Sequence, residues 1–204
     1  AEDYAKEYFS KYKRFYFEKS NFSDIEYILE KYNDSKKVNG ILLDLGVSSP
    51  QLDEADRGFS FMKEGPIDMR MDTTNKMTAM LWLQEAEIDE ISRVLKKYGE
   101  EKYSYRIAKS IKKSIKDKSL KTTLDLSNII NNCYPKKKLY KKNPSTKSFQ
   151  AIRIFINKEL QELEKILKDC LELIEKEGRL VVISFHSLED RIVKNFINKY
   201  SDGK

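Results

Sequence analysis

The apolar positions of the chain follow two periods, and the change from one to the other divides it into regions. Residues 2 to 12 have helical spacing. Arg14 to Lys19 alternate, with Phe15 and Phe17 on one side, and predict a strand. Asn21 and Phe22 form a turn. Ser23, with Glu26 three residues on, has the form of a capping box for a helix whose apolar face is Ile25, Ile28 and Leu29. Val38 and the run Ile41–Leu42–Leu43 then predict a strand to Leu45, covered on both faces. The order helix, strand, helix, strand is that of a parallel sheet with crossover helices.

The alternation stops after that strand. Asp44 stands where the strand ends, and Gly46, Ser48, Ser49 and Pro50 break regular structure and leave the backbone open to a ligand. Ligands of open α/β sheets bind outside the carboxyl ends of the strands, which makes Asp44 a candidate site residue. An irregular stretch from Gln51 to Asp72 follows; its aromatics and methionines argue for order, and a loop of this length for function. Helical patterns then recur. Thr78 caps a helix to about Glu85, a second with Ile88, Ile91, Val94 and Leu95 ends at Gly99, a third carries Tyr105, Ile107, Ala108, Ile111 and Ile115, and Thr123 caps a fourth from Leu124 to Ile130. Residues 73–144 show no strand pattern. One long helix is expected from Ser148 to Lys176, closed by Gly178. A buried strand follows from Arg179 to Ser184, then a last helix from about Leu188 with Ser187 and Asp190 as its cap pair. The predicted domains are α/β material at 1–72 and 146–204, enclosing an all-helical insertion at 73–145.

Composition narrows the classes. No apolar run approaches the roughly 20 residues of a membrane span. The charged start Ala1 to Glu7 is unlike a signal peptide. Two separated cysteines, Cys133 and Cys170, suggest a reducing, cytoplasmic setting, and a single histidine, His186, argues against a zinc or iron site. The formal net charge is +6. Lys136, Lys137, Lys138, Lys141, Lys142 and Lys147 crowd one segment with Tyr134 and Tyr140 among them, and a second basic zone runs from Lys96 to Lys118. Charge alone leaves two readings of these zones open: solvated helix faces, or a surface for nucleic-acid phosphates.

Five segments together resemble one family: Asp44–Leu52, Arg57–Phe61, Gly65–Asp72, Phe149–Ile154 and Ile183–Arg191. Their order and wording are similar to those of the bacterial 16S ribosomal RNA (cytosine-N4)-methyltransferases, the RsmH or MraW family, over nearly the whole chain. The resemblance implies a class I S-adenosylmethionine-dependent methyltransferase with a Rossmann-like core interrupted by a helical domain. It implies methylation of the N4 amine of a cytosine in the decoding centre, with the small ribosomal subunit as partner and no metal or membrane.

By position, the resemblance places Phe22, Asp44 and Gln51 against S-adenosylmethionine. The physical reasons are a ring for adenine, a carboxylate for a cationic amino group, and an amide that both donates and accepts. Phe22 also fits a hydrophobic staple, and Gln51 a turn. Methyl transfer to an amine whose lone pair is delocalised into the ring needs acceptors for the amino hydrogens and in-line alignment. Asp44, Ser48 and Ser49 are the candidates, and no strong base is required. His186 is a second candidate, as base or as brace of the following helix. Arg57, Arg70, Lys136, Lys137, Lys138 and Lys147 are candidate RNA contacts, although Arg57, Asp68, Arg70 and Asp72 also suit a salt-bridge network that orders the loop.

Two departures from the family pattern stand out. Asn143–Lys147 replaces His-Pro-Ala-Thr-Arg, so a lysine stands where a planar guanidinium is usual. The glycine-rich cofactor loop, its following acidic residue and the last strands of the core do not occur in these 204 residues. The expectation is a chain truncated at both ends, with little cofactor affinity by itself. Two other classes remain: a non-enzymatic basic RNA-binding module, and a methyltransferase of the same fold acting on DNA or protein.

Overall fold

The computed structural model describes residues 2–32, 36–135 and 143–201. The chain divides into two compact units, residues 1–45 with 160–204, and residues 46–159.

The first unit holds α1 (Glu2–Phe9), α2 (Ile25–Tyr32), β1 (Val38–Asp44), most of α9 (Glu159–Leu173), β2 (Ile174–Ile183) and α10 (Ser187–Tyr200). β1 and β2 pair in parallel, from Gly40 opposite Arg179 to Asp44 opposite Ile183, and the Leu45 amide extends the ladder to the Ile183 carbonyl at 3.1 Å. Ile41, Leu43 and Leu45 face inward and pack with Leu163, Ile166, Leu167 and Leu173 of α9, flanked by Ile25 and Leu29 of α2 and Ile192, Val193 and Phe196 of α10. The period of two places Leu42, Val181 and Ile183 on the other face, which is exposed among the described residues. Among the described residues β1 is therefore covered on one face, where its apolar run predicts two.

Other expectations change in this unit. Arg14–Lys19 is not a strand, and Phe15 and Phe17 are exposed. Alternation defines a face, but a strand also needs a neighbour to take its amides, and among the described residues this segment has none. Asn21, not Ser23, caps the turn Phe22–Asp24, accepting from the Ser23 amide at 3.1 Å. Ser23 is buried, its hydroxyl 3.5 Å from Lys165 Nζ. β2 begins at Ile174, ahead of Gly178, which the pattern treats as a helix stop; a register irregularity between Val38 and Gly40 absorbs the extra length.

The second unit holds α3 (Ser49–Asp53), α4 (Ala79–Glu85), α5 (Ile88–Gly99), α6 (Ser104–Lys116), α7 (Thr123–Asn132) and α8 (Ser145–Asn157). Ile91, Leu95, Ile107, Ile111, Leu126, Ile130, Ile152 and Ile154 are fully buried and form the helical interior. Thr78 caps α4, accepting from the Leu81 amide at 3.1 Å, as its position predicts. α7 is capped one residue earlier than expected, by Thr122 with Asp125. Thr123 is buried and ties α7 to the irregular segment 57–75 through Gly65 N and Lys63 O. Gly99 is the last residue of α5, and Glu100 takes the left-handed C-cap at φ 48°. Glycine is required at 99 by contact instead: a Cβ there would lie 2.5 Å from the Lys147 carbonyl of α8. The long helix predicted from 148 to 176 is two helices, broken at Lys158 with φ 52° and bridged by Arg153, whose Nε and Nη2 each donate to Glu159 at 2.8 Å.

Candidate active site

The carboxyl end of β1 presents Asp44, exposed and directly opposite Ile183. Its exposure follows from register, since Leu43 and Leu45 on either side point into the core. Among the described residues its carboxylate takes no hydrogen bond. In the same unit, Phe22 is partly exposed at the start of its short turn, next to the buried Ser23.

β2 ends at Ile183; Ser184 and the exposed Phe185 come next, and His186 follows as the N-cap of α10, one residue before the Ser187 that the sequence suggests. Its Nδ1 accepts from the Glu189 amide at 3.4 Å, and its Nε2 lies 3.2 Å from Glu189 Oε1. Glu189 is buried and returns the contact by accepting from the Phe185 amide at 2.8 Å. Burial alone raises this carboxyl, but the His186 side chain and the two amides outweigh burial and hold it below the ordinary carboxylate range. His186 thus caps α10 and holds Glu189 in the turn after β2. The local sequence sign of Glu189 in this role is its three-residue offset from the cap.

The second unit begins at Gly46, in the left-handed region at φ 87°, where the chain leaves the strand direction. Ser48 is the N-cap of α3 and Pro50 sits in its first turn. Gln51 folds back so that its Oε1 accepts from Ser48 N at 2.9 Å and from Ser48 Oγ at 3.3 Å. That leaves the amide hydrogens of Gln51 as its outward donors. Ser48 and Ser49 are exposed.

The strap 57–75 is held by cations. Arg70 donates through Nε to Asp68 Oδ1 at 2.6 Å and through Nη2 to Oδ2 at 2.7 Å, and its Nη1 serves the Thr73 and Asn75 carbonyls. Burial raises the Asp68 carboxyl, yet Arg70 beside it brings it below the ordinary range. Arg57 donates to the Arg70 and Met71 carbonyls at 2.8 and 3.1 Å. Asn157, at the end of α8, donates to the Met69 carbonyl and accepts from the Met71 amide. It therefore holds Met69, which is fully buried at φ 60°. An asparagine 88 residues away in sequence carries no local sign of that pairing. Lys147 is exposed, its Nζ 3.5 Å from the Glu100 carbonyl. Lys136, Lys137 and Lys138 lie outside the described residues.

A parallel strand ending in an exposed acid, a glycine turn and a capped helix belong to an incomplete Rossmann-like core of the class I S-adenosylmethionine methyltransferase kind. The chain matches the model of the MraW methylase family over residues 1–204 and belongs to that family. It is 52% identical over 183 residues to the ribosomal RNA small subunit methyltransferase H of Idiomarina loihiensis. That match takes in 90% of this chain and 58% of the relative, so the chain spans little more than half the length of the curated relative. Methyltransferases of this class generally take their methyl group from S-adenosylmethionine. Among the described residues no helix is long and apolar enough to cross a membrane.

Proposed function

We propose that the whole protein transfers a methyl group from S-adenosylmethionine to the N4 amine of a cytosine in the decoding centre of 16S ribosomal RNA. The observation that carries the reading is the end of β1: an acid free of protein partners among the described residues, followed by a left-handed glycine and a Ser-Ser-Pro-Gln helix start. The 52% identity to a ribosomal RNA small subunit methyltransferase supports the substrate class.

The residues present fit part of the cofactor. Asp44 offers an unused anion for a cationic amino group, Phe22 a partly exposed ring for adenine, and Gln51 outward amide donors. Bound S-adenosylmethionine supplies an electrophilic methyl carbon. Ser48 and Ser49 carry the exposed hydroxyls that would accept the amino hydrogens of the base and orient its lone pair. As the new N–C bond forms, the sulfur–methyl bond would break with its electron pair going to sulfur, leaving neutral S-adenosylhomocysteine; nitrogen becomes acidic and its proton leaves to water or to one of these acceptors, so no buried base is needed. His186 acts through position: with Glu189 it fixes the turn after β2 beside the strand that carries Asp44. Arg57 and Arg70 act by ordering the strap, and along the sequence the two parts of the core, 1–72 and 146–204, flank the helical insertion at 73–145.

Nucleoside mass analysis of ribosomal RNA, incubated with the full-length protein and the cofactor, tests the chemistry. N4-methylcytosine should appear, and methylation confined to another base, to DNA or to protein would overturn the proposal. Asp44→Asn should weaken cofactor binding about 10- to 100-fold by calorimetry, as expected for losing a hydrogen bond to a charged group. Unchanged affinity would remove Asp44 from the cofactor site.

A further inference from the structure

The basic zone of the sequence becomes a defined surface in the helical unit. Residues 73–145 hold 17 Lys and Arg against 8 Asp and Glu, a net +9 where the whole chain carries +6. Within 102–121 the bias is stronger, eight basic residues against the single acid Asp117. The inward face of α6 is Ile107, Ala108 and Ile111, all fully buried. Arg106, Lys109, Lys113 and Lys116 recur at intervals of three, four and three residues, which puts them in one row on the outward face. Lys102, just before the helix, continues the row.

All five side chains are exposed, and among the described residues none makes a hydrogen bond or ion pair. Lys112, one position off the row, behaves differently: its Nζ bonds to the Gln84 carbonyl at 2.8 Å and belongs to the fold. At about 1.5 Å of rise per residue, the four helix positions span roughly 15 Å. Alongside runs a cleft of about 370 Å³ lined by Arg106, Lys113, Ser110, Asn132 and Asp117, among others. Tyr105 is 56% exposed, one helical turn before Lys109. A row of unpaired cations with hydroxyl and amide groups beside it and an exposed ring at one end matches the chemistry of a single nucleic-acid strand: phosphates for the cations, a base face for the ring.

We propose that this face of α6 is a phosphate track for single-stranded RNA, with Tyr105 as a stacking platform for one base. The inference rests on the reading that RNA is the substrate. Asp117, at the far end of the cleft, sets the limit of the track by repelling phosphate.

The test is fluorescence anisotropy of a labelled single-stranded RNA against the full-length protein across a salt series. The quadruple variant Arg106→Gln, Lys109→Gln, Lys113→Gln, Lys116→Gln should bind at least about ten-fold more weakly. Its slope of log affinity against log salt should be shallower by about 3, at roughly 0.7 per phosphate contact on a single strand. A control variant with the same charge change in the other unit, Lys13→Gln, Lys19→Gln, Lys168→Gln and Lys176→Gln, should leave both nearly unchanged. Tyr105→Ala should cost about ten-fold in affinity and leave the slope alone. Glutamine keeps helical propensity, and circular dichroism checks the fold of each variant. An unchanged slope in the α6 variant, or an equal loss in the control, overturns the track. Equal binding of a duplex with Tyr105→Ala silent overturns the single-strand assignment. If the protein makes N4-methylcytosine while the α6 variant binds normally, the track fails and the function stands; if the track binds RNA and no N4-methylcytosine forms, the reverse holds.

Discussion

The two units solve the burial problem differently. Of the twelve largest fully buried side chains among the described residues, eleven lie in the unit 46–159 and one, Leu163, in the other. Of the 22 exposed large hydrophobics among the described residues, 17 lie in the unit built on β1 and β2. Helices joined in sequence close an interior with near neighbours. A parallel sheet has two faces and two edges, and a two-stranded one leaves most of that surface open. Among the described residues the helical unit therefore closes its own interior, whereas the sheet unit, two strands of an incomplete core, leaves the face that carries Asp44 exposed.

This contrast predicts an ordered set of effects, each measurable by urea unfolding. Ile107→Ala, in the closed interior, should cost about 2–5 kcal/mol, while Leu42→Ala on the bare face should cost less than about 0.5 kcal/mol. Comparable losses would mean that the bare face is covered in solution. Asp68→Asn should cost about 1.5–3 kcal/mol by removing a bidentate charged pair. The same pair gives an acid dependence. Asp68 and Glu189 are both held below the ordinary carboxylate range, so their contribution is complete above about pH 5 and is lost as pH falls from there through the lower folded values. Asp68→Asn should flatten the helical unit's share of that loss and leave the Glu189 share in place; an unchanged acid limb would remove Asp68 as a source. Thr122→Ala should cost about 1 kcal/mol through its cap. Thr123→Ala should exceed it, because Thr123 is buried and holds the strap at both Gly65 and Lys63.

What could be read from the chain follows the range of the interactions. The helices of the insertion, the cap at Thr78 and the acid at the end of β1 are local in cause, and their sequence signs are local too. The strand predicted at Arg14–Lys19 fails because pairing depends on a neighbour. The cap of α7 shifts because two adjacent threonines offer the same chemistry, and only burial separates Thr122 from Thr123. The break at Lys158 is invisible because lysine has no preference for the left-handed region. At the site, Asp44, Ser48 and Gln51 could be found from turn chemistry. The Asn157 hold on Met69 and the Glu189 brace of His186 depend on three-dimensional closure.

Gly99 and Gly58 give the chain a particular mutational tolerance. Exposed lysines outside the α6 row, such as Lys13, Lys19 and Lys168, stand in solvent, where substitution is cheap. At Gly99 a single added carbon meets the Lys147 backbone at 2.5 Å, and at Gly58, with φ 70°, it meets the Pro66 carbonyl at 2.2 Å. Under neutral drift the charged surface outside the α6 row is free to turn over while these two positions stay closed even to alanine, so the helical unit would keep its shape long after the rest of its surface sequence had diverged.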